Sequence, residues 1–404
     1  MSPNPLVGSP PRGHSRGSSR SSSPSSYRPS LPHNRHRRGS RRILSSVRKL
    51  ERMICTAAKQ FPLAIVYGGQ TWAAYTEGWS ICFTHMGGMK GTILGTLGFV
   101  IYGMAVWSYT TAVFRDPGLP LNNQTAYSHL PTSQPTASSP HGPITVKSSG
   151  TPRFCKKCQT HKPDRAHHCS TCNRCVLKMD HHCPWLATCL GLYNYKPFLL
   201  FLIYTSLLCI LSFLVSTSWV WGTVLNDGAG HNEGDITPVN WILMATVSGI
   251  IGLVLSGFTI WHLMLAASGM TTIESLEKVR YSTPGLAPHN NAFTYPGNGL
   301  DVWNAQTERV REQARYNSYL DDEALAKLPH AFDLGKRQNL LDVFGTRRWC
   351  WLLPLAMSCE EKSRLDGWRW ETSRAWAEGV ARLQQERDDR IKRAREQWLA
   401  QGGG

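Results

Sequence analysis

Residues 155–189 read CKKCQTHKPDRAHHCSTCNRCVLKMDHHCPWLATC, a stretch of 35 residues that holds seven cysteines and five histidines. Such a density points to metal. A Cys-x-x-Cys step sets two thiolates about one tight turn apart, and three steps occur: Cys155 with Cys158, Cys169 with Cys172, and Cys172 with Cys175. Zinc takes four ligands. With Cys189, His168 and His182 these cysteines make eight donors, enough for two closed sites of three cysteines and one histidine each. Spacing alone leaves open which donor belongs to which site. One cysteine, Cys183, is left over.

A spare cysteine beside a histidine and a carboxylate can be a nucleophile, and the local order is Asp180, His181, His182, Cys183. In an extended segment alternate side chains point to opposite sides, so committing His182 to metal turns His181 and Cys183 the other way together. An imidazole there can take the thiol proton, and Asp180 can hold the ring's other nitrogen and stabilise the imidazolium. Pro184 stiffens the backbone that follows, and Trp185 offers an amphipathic ring at an interface.

With these residues in place, the pattern resembles the DHHC family of protein S-acyltransferases (palmitoyltransferases), whose name-giving tetrad is Asp180, His181, His182 and Cys183. The likeness continues with Asp116-Pro117-Gly118 after the second apolar span, Thr271-Thr272-Ile273-Glu274 after the fourth, and a C-terminal run from Gly335 through Asn339 to Val343-Phe344-Gly345. Asn194 and Phe198 keep the usual continuation, while Thr188 stands where the family usually has Asn. The resemblance implies that two structural zinc sites interleave, Cys155, Cys158, His168 and Cys175 in one, Cys169, Cys172, His182 and Cys189 in the other. It also implies a ping-pong reaction in which Cys183 takes an acyl group from palmitoyl-CoA and passes it to a substrate protein's cysteine, with His181 as base and Asp180 as its orienting carboxylate. Within the family the cysteine cluster and C-terminal tail are most similar to the fungal vacuolar branch. That implies the vacuolar membrane, with Golgi or ER membrane as alternatives.

The mean hydropathy of −0.28 averages polar tails with long apolar spans. Two spans are clear, roughly Phe198 to Leu225 and Trp241 to Ala267, each long enough for the ~20 residues a bilayer requires and neither carrying Lys, Arg, Asp or Glu. A third, Thr92 to Phe114, is uncharged and rich in Gly, which permits close helix packing in membranes. A fourth, about Phe61 to Phe83, is interrupted by Gly68, Gly69, Gln70 and Glu77. The expected fold is therefore an α-helical membrane protein with four transmembrane helices and a cytosolic double-zinc domain between helices 2 and 3. The divisions are 1–52 as a basic tail, 53–114 for helices 1 and 2, 115–150 as a linker, 151–197 as the catalytic zinc domain, 198–267 for helices 3 and 4, and 268–404 as a C-terminal region.

Orientation follows from the short loops. Gly78 to Met89 and Asn226 to Asn240 contain no Lys or Arg and are expected on the lumenal side. Arginines from Arg35 to Arg52, the loop from Arg115 to Lys196 and the C-terminal tail then face the cytosol, where disulfides are rare and thiols serve metal or catalysis. Fifteen residues separate Cys183 from Phe198, at most ~50 Å of chain, so the cysteine stays near the membrane face. A palmitoyl chain gains ~0.8 kcal/mol for each buried CH2, about 12 kcal/mol in all, and remains in apolar surroundings while its thioester reaches the interface. The phosphates of CoA favour the cationic cluster of Arg153, Lys156, Lys157, Lys162, Arg165, Arg174 and Lys178.

The bland readings stand beside these. A Cys/His cluster also suits a nucleic-acid or protein-binding finger, and the whole chain would then be a membrane-anchored zinc-finger scaffold without catalysis. The apolar spans and the Asp-His-His-Cys order argue against it. The net charge of +17 owes much to the arginine-rich tail beside a first span, which means topology and anionic lipid rather than nucleic acid. That tail, rich in Ser, Arg, Pro and Gly, cannot bury a core, and without an apolar stretch it is not a cleavable signal peptide. Cys55, Cys82, Cys209, Cys350 and Cys359 read as packing residues, though Cys55 beside a basic stretch suits lipidation. His262 reads as a helix-to-helix hydrogen bond, Thr271 to Glu274 as a helix cap, and Trp368 to Gln401 as a solvated or surface-lying helix. The expected partners are acyl-CoA, cytosol-facing substrate proteins and membrane lipid.

Overall fold

The computed structural model describes residues 51, 53, 60–120, 153–222, 237–277, 312–355 and 365–400, less residues 314, 318, 322 and 369. Nearly all of the basic tail and of the 115–150 linker, together with Cys55 and Cys359, lies outside them. Two compact units divide the chain, 1–55 and 56–404, and everything below belongs to the second.

Three helices are long and apolar enough to cross a membrane: α2 (Gly88–Phe114), α3 (Tyr195–Val220) and α4 (Thr237–Ala267, apolar from Pro238). The helix before them, α1 (60–86), carries Gly68, Gly69, Gln70 and Glu77 and is not among the three. The helix runs past the expected end near Phe83 to Met86, with π winding over Tyr75–Met86. Bonds five residues apart hold the wider turn, from Gly87 N–H to the Cys82 carbonyl (3.0 Å) and from the Thr84 hydroxyl to the Trp79 carbonyl (3.0 Å). Small residues let α1 and α2 approach: a Cβ at Gly91 would strike the Cys82 carbonyl, and one at Gly98 the Glu77 carboxylate.

Between α2 and α3 lie three antiparallel hairpins: β1 (Phe154–Cys155) with β2 (Thr160–His161), β3 (His167–Cys169) with β4 (Arg174–Val176), and β5 (His181–Cys183) with β6 (Thr188–Leu190). Each strand is two or three residues long, too little to stand alone. The hairpins are seated by α2 and the loop after it. Leu177 N–H donates to the Gly118 carbonyl (3.0 Å) and Tyr193 N–H to that of Pro117 (3.3 Å), with Gly118 in the left-handed region at φ +103°. Asn194, fully buried, accepts from Gly191 N–H and donates to the carbonyls of Ala112 and Cys189, joining α2 to β6.

After α4 come α5 (Thr272–Glu277), α6 (Lys336–Phe344) and the long α7 (Arg374–Ala400), which begins later than the expected Trp368. Helix α6 returns to the bundle: Asn339 donates to the Ala267 carbonyl at the end of α4 (2.8 Å), and Lys196 on α3 donates to the carbonyls of Phe344 (3.0 Å) and Cys350 (2.9 Å). The main apolar core gathers Tyr109, Ala112, Leu186, Leu190, Phe198, Leu199, Phe201, Ala266, Val343 and Phe344, and Cys183 is part of it.

Candidate active site

Hairpin register explains how the metal donors interleave. In β3–β4 His168 stands opposite Cys175, and in β5–β6 His182 stands opposite Cys189. A Cys-x-x-Cys turn then closes each pair. Cys155 and Cys158 join the first, while Cys169 and Cys172, at the tip of β3–β4, join the second, giving two quartets whose ligand atoms lie within 4.8 Å of one another. After each turn the chain takes a left-handed residue, Gln159 or Asn173, both at φ 51°.

The quartets are compatible with two zinc sites. Bonds of ~2.3 Å to sulfur and ~2.0 Å to nitrogen in a tetrahedron put N and S about 3.5 Å apart. The Nδ1 of His168 is 3.6, 3.2 and 3.8 Å from the sulfurs of Cys155, Cys158 and Cys175. That of His182 is 3.8, 3.4 and 3.6 Å from those of Cys169, Cys172 and Cys189. No two described cysteines are disulfide-bonded.

Cys183 belongs to neither quartet. It ends β5, where the strand period sets His181 and Cys183 on the face opposite His182. His181 Nδ1 is 2.6 Å from the Asp180 carboxylate, which is buried. Burial opposes a charged His181 ring, but the hydrogen bonds and charges of Asp180 and Cys183 outweigh it and push the pKa up to about 9. His167 behaves differently: burial, helped by Arg153 and Lys162, pushes it down to about 4, and it lies outside both quartets.

Asp180 is itself held from α5. Thr272 N–H donates to its second carboxylate oxygen (2.9 Å), and the Thr272 hydroxyl donates to its backbone carbonyl. The turn that presents Thr272 is a capping arrangement. Glu274 accepts from Thr271 N–H (2.9 Å), and the Thr271 hydroxyl accepts from Glu274 N–H (3.2 Å). Glu274 also takes both Nε and an Nη of Arg165 at 2.8 Å, while Arg165 donates further to the Gly269 carbonyl (2.7 Å). Burial alone would raise the Glu274 carboxyl, but Arg165 holds it below the usual carboxylate range. Arg165 stacks between Phe332 (4.6 Å) and Trp370 (4.8 Å), so C-terminal residues enclose the pair.

Comparison with known proteins gives the context. A profile of the family described as DHHC palmitoyltransferase matches residues 148–279. "Palmitoyltransferase pfa3" of Aspergillus fumigatus is 43% identical over 418 residues, 84% of this chain and 74% of that protein. "Palmitoyltransferase PFA3" of Gibberella zeae is 45% identical over 395 residues, 86% of this chain and 68% of that protein. "Palmitoyltransferase ZDHHC15A" of Danio rerio is 36% identical over 214 residues, 53% of this chain and 51% of that protein.

The chain belongs to the DHHC palmitoyltransferase family. It is an enzyme, a protein S-acyltransferase, and a multi-pass membrane protein. Against that background the structure corrects one detail of the sequence reading. Arg165, grouped by composition with the cations facing CoA, is 4% exposed and committed to Glu274. Lys156 and Lys157 remain exposed, and Lys178 lies over the Trp370 ring at 5.4 Å.

Tyr109 and Tyr195 of this palmitoyltransferase site escaped sequence reasoning, while His262 makes the helix-to-helix hydrogen bond expected of it. Tyr109 on α2 donates to the Trp185 carbonyl (2.6 Å), fixing the turn after Cys183. Tyr195 pairs its hydroxyl with His262 Nδ1 (3.2 Å), and the His262 ring lies 5.8 Å from that of His181. Asp180, His181 and His262 come close enough to hold a metal. Asp180 already accepts from Thr272 and pairs with His181, and Tyr195 takes the Nδ1 of His262. The signal available in sequence was His262 itself, a polar residue within an apolar span.

Proposed function

We propose that Cys183 is the acyl-carrying nucleophile and that palmitoyl-CoA is the donor. The Cys183 thiol gives its proton to His181, the sulfur attacks the thioester carbonyl, and the carbon–sulfur bond to CoA breaks as the CoA sulfur recovers a proton. A substrate-protein cysteine thiol then gives its proton to His181 and attacks the acyl-Cys183 thioester, and the departing Cys183 sulfur takes that proton back to become the thiol again. Asp180 orients His181 and stabilises its charged form. The observation that carries this reading is that Cys183 stands outside both metal quartets, beside a histidine hydrogen-bonded at 2.6 Å to a buried carboxylate.

Zinc, held by Cys155, Cys158, His168 and Cys175 and by Cys169, Cys172, His182 and Cys189, would supply no reactive group and would fix the hairpins. Cys183 lies in one apolar cluster with Phe198, Leu199, Phe201 and Leu202 of α3, a setting suited to a palmitoyl chain entering from the bilayer.

The same reading takes α1 as a fourth span, with the zinc domain and both tails in the cytosol and the segments around Gly87 and before Asn240 in the lumen. The tail, linker, catalytic and C-terminal divisions follow the sequence boundaries given above. The likeness of the cysteine cluster and C-terminal tail to the fungal vacuolar branch carries the vacuolar setting, and substrates would be cytosol-facing proteins with cysteines near the membrane.

The test is acyl labelling of purified, detergent-solubilised protein with tagged palmitoyl-CoA, comparing wild type with Cys183→Ser. Hydroxylamine-sensitive label should be present in wild type and absent from the variant. Equal label in both, with zinc retained, would support the scaffold instead.

A further inference from the structure

We infer that residues 346–353 form an interfacial anchor, placing Trp349 and Leu352 in one leaflet of the bilayer and Arg347 and Arg348 on the phosphates of anionic lipid. The segment follows α6 as a chain of tight turns, with Cys350 N–H donating to the Arg347 carbonyl, Trp351 to Arg348 and Leu353 to Cys350 at 3.0–3.2 Å. Its inner edge is fastened. The Trp351 ring stacks on Phe344 (5.5 Å between centroids) and its indole N–H donates to the Gly345 carbonyl (2.9 Å), while Lys196 holds the Cys350 carbonyl.

The decisive bond is deeper. Tyr204 donates its hydroxyl to the Leu352 carbonyl at 2.6 Å. Tyr204 is nine residues past Tyr195 on α3, ~13 Å along the helix axis, and helical side chains lean back toward the N-terminus. Leu352 therefore sits beside the first turns of a membrane-crossing helix. One turn on from Tyr204 begins that helix's outward apolar stripe, Leu207, Ile210 and Leu214, which are 45%, 42% and 58% exposed. Leu352 caps this stripe.

The outer edge is bare and of mixed character. Trp349 is 68% and Leu352 66% exposed, and Arg347 and Arg348 beside them are exposed as well. An indole with an adjacent aliphatic and two guanidinium groups suits the boundary between headgroups and acyl chains. Continuity with the lipid-facing stripe of α3 selects the bilayer as occupant over a protein partner.

The inference rests on α3 being a membrane span, and the experiment separates the two. Full-length protein carrying a photo-crosslinker (Trp349→p-benzoylphenylalanine) is reconstituted in nanodiscs of phosphatidylcholine with a minority of phosphatidylserine, irradiated, and analysed by mass spectrometry. A Leu214→p-benzoylphenylalanine protein reports on the span alone. Phospholipid adducts at both positions are expected, with serine-headgroup lipid over-represented at 349. Arg347→Gln and Arg348→Gln should each reduce that over-representation about fivefold. Lipid adducts at 214 with only peptide adducts at 349, whether to this chain, a second copy or another protein, would overturn the anchor while sparing the span. No lipid adduct at either position would overturn both.

Discussion

Thr272 holds Asp180 at two points, its backbone N–H on the carboxylate at 2.9 Å and its hydroxyl on the Asp180 carbonyl. The carboxylate that faces His181 is thus positioned by a residue 92 positions later, beyond two helices long and apolar enough to cross a membrane. Replacing Thr272 with Val keeps the shape and the N–H contact and removes the hydroxyl. A lost hydrogen bond of ~1 kcal/mol corresponds to roughly a fivefold slower acylation of Cys183. Single-turnover labelling should show this with zinc content unchanged; an unaltered rate would remove Thr272 from the positioning of Asp180.

Glu274→Gln leaves Arg165, 4% exposed, without its counter-charge. Loss of one partner of a buried pair costs about 3–5 kcal/mol. The thermal midpoint in detergent should fall by many degrees. The double variant Arg165→Met/Glu274→Leu should recover much of the loss, because the aromatic walls of Phe332 and Trp370 accept an apolar chain.

Cys172→Ser should lower the bound metal from two zinc ions per chain to about one and expose the second and third hairpins to protease. Cys183→Ser should retain both ions, since its sulfur is in neither quartet. Equal metal loss in the two variants would contradict the division of roles between the cysteines.

The pair of Asp180 and His181 has a defined pH signature. His181 is raised from its ordinary 6.5 to about 9. A raised pKa in the folded state means that the stabilisation is complete below about 6.5 and is lost as pH climbs through about 9. The difference in thermal midpoint between wild type and His181→Gln should therefore be largest near pH 6 and shrink by pH 10. A difference that is constant over this range would show that folding leaves the His181 pKa unraised.

Local chemistry was legible in the sequence and distant pairing was not. The Cys-x-x-Cys steps and the period of two along His181, His182 and Cys183 are properties of neighbouring residues, so a strand of three residues sufficed to express them. The likeness to a family, and not spacing, supplied the quartets; the hairpin register then shows why His168 meets Cys175 and His182 meets Cys189. Arg165 was misread because charge alone cannot say whether a guanidinium faces solvent, and its partner lies 109 residues away. The extension of α1 past Phe83 to Met86 was missed because π winding depends on bonds five residues apart, which no helical periodicity signals. Nothing in the apolar run of α3 announced that Lys196 and Tyr204 would serve the carbonyls of Cys350 and Leu352.

Lys196 waits 148 residues for the Phe344 carbonyl that receives it. At a synthesis rate of ~5–20 residues per second, the Phe344 carbonyl follows Lys196 out of the ribosome's catalytic centre by about 7–30 s. Arg165 is in the same position until Glu274 emerges. The chain at that stage is therefore complete in sequence over its first half but unfinished in structure. A premature stop anywhere before residue 344 would leave it so for good.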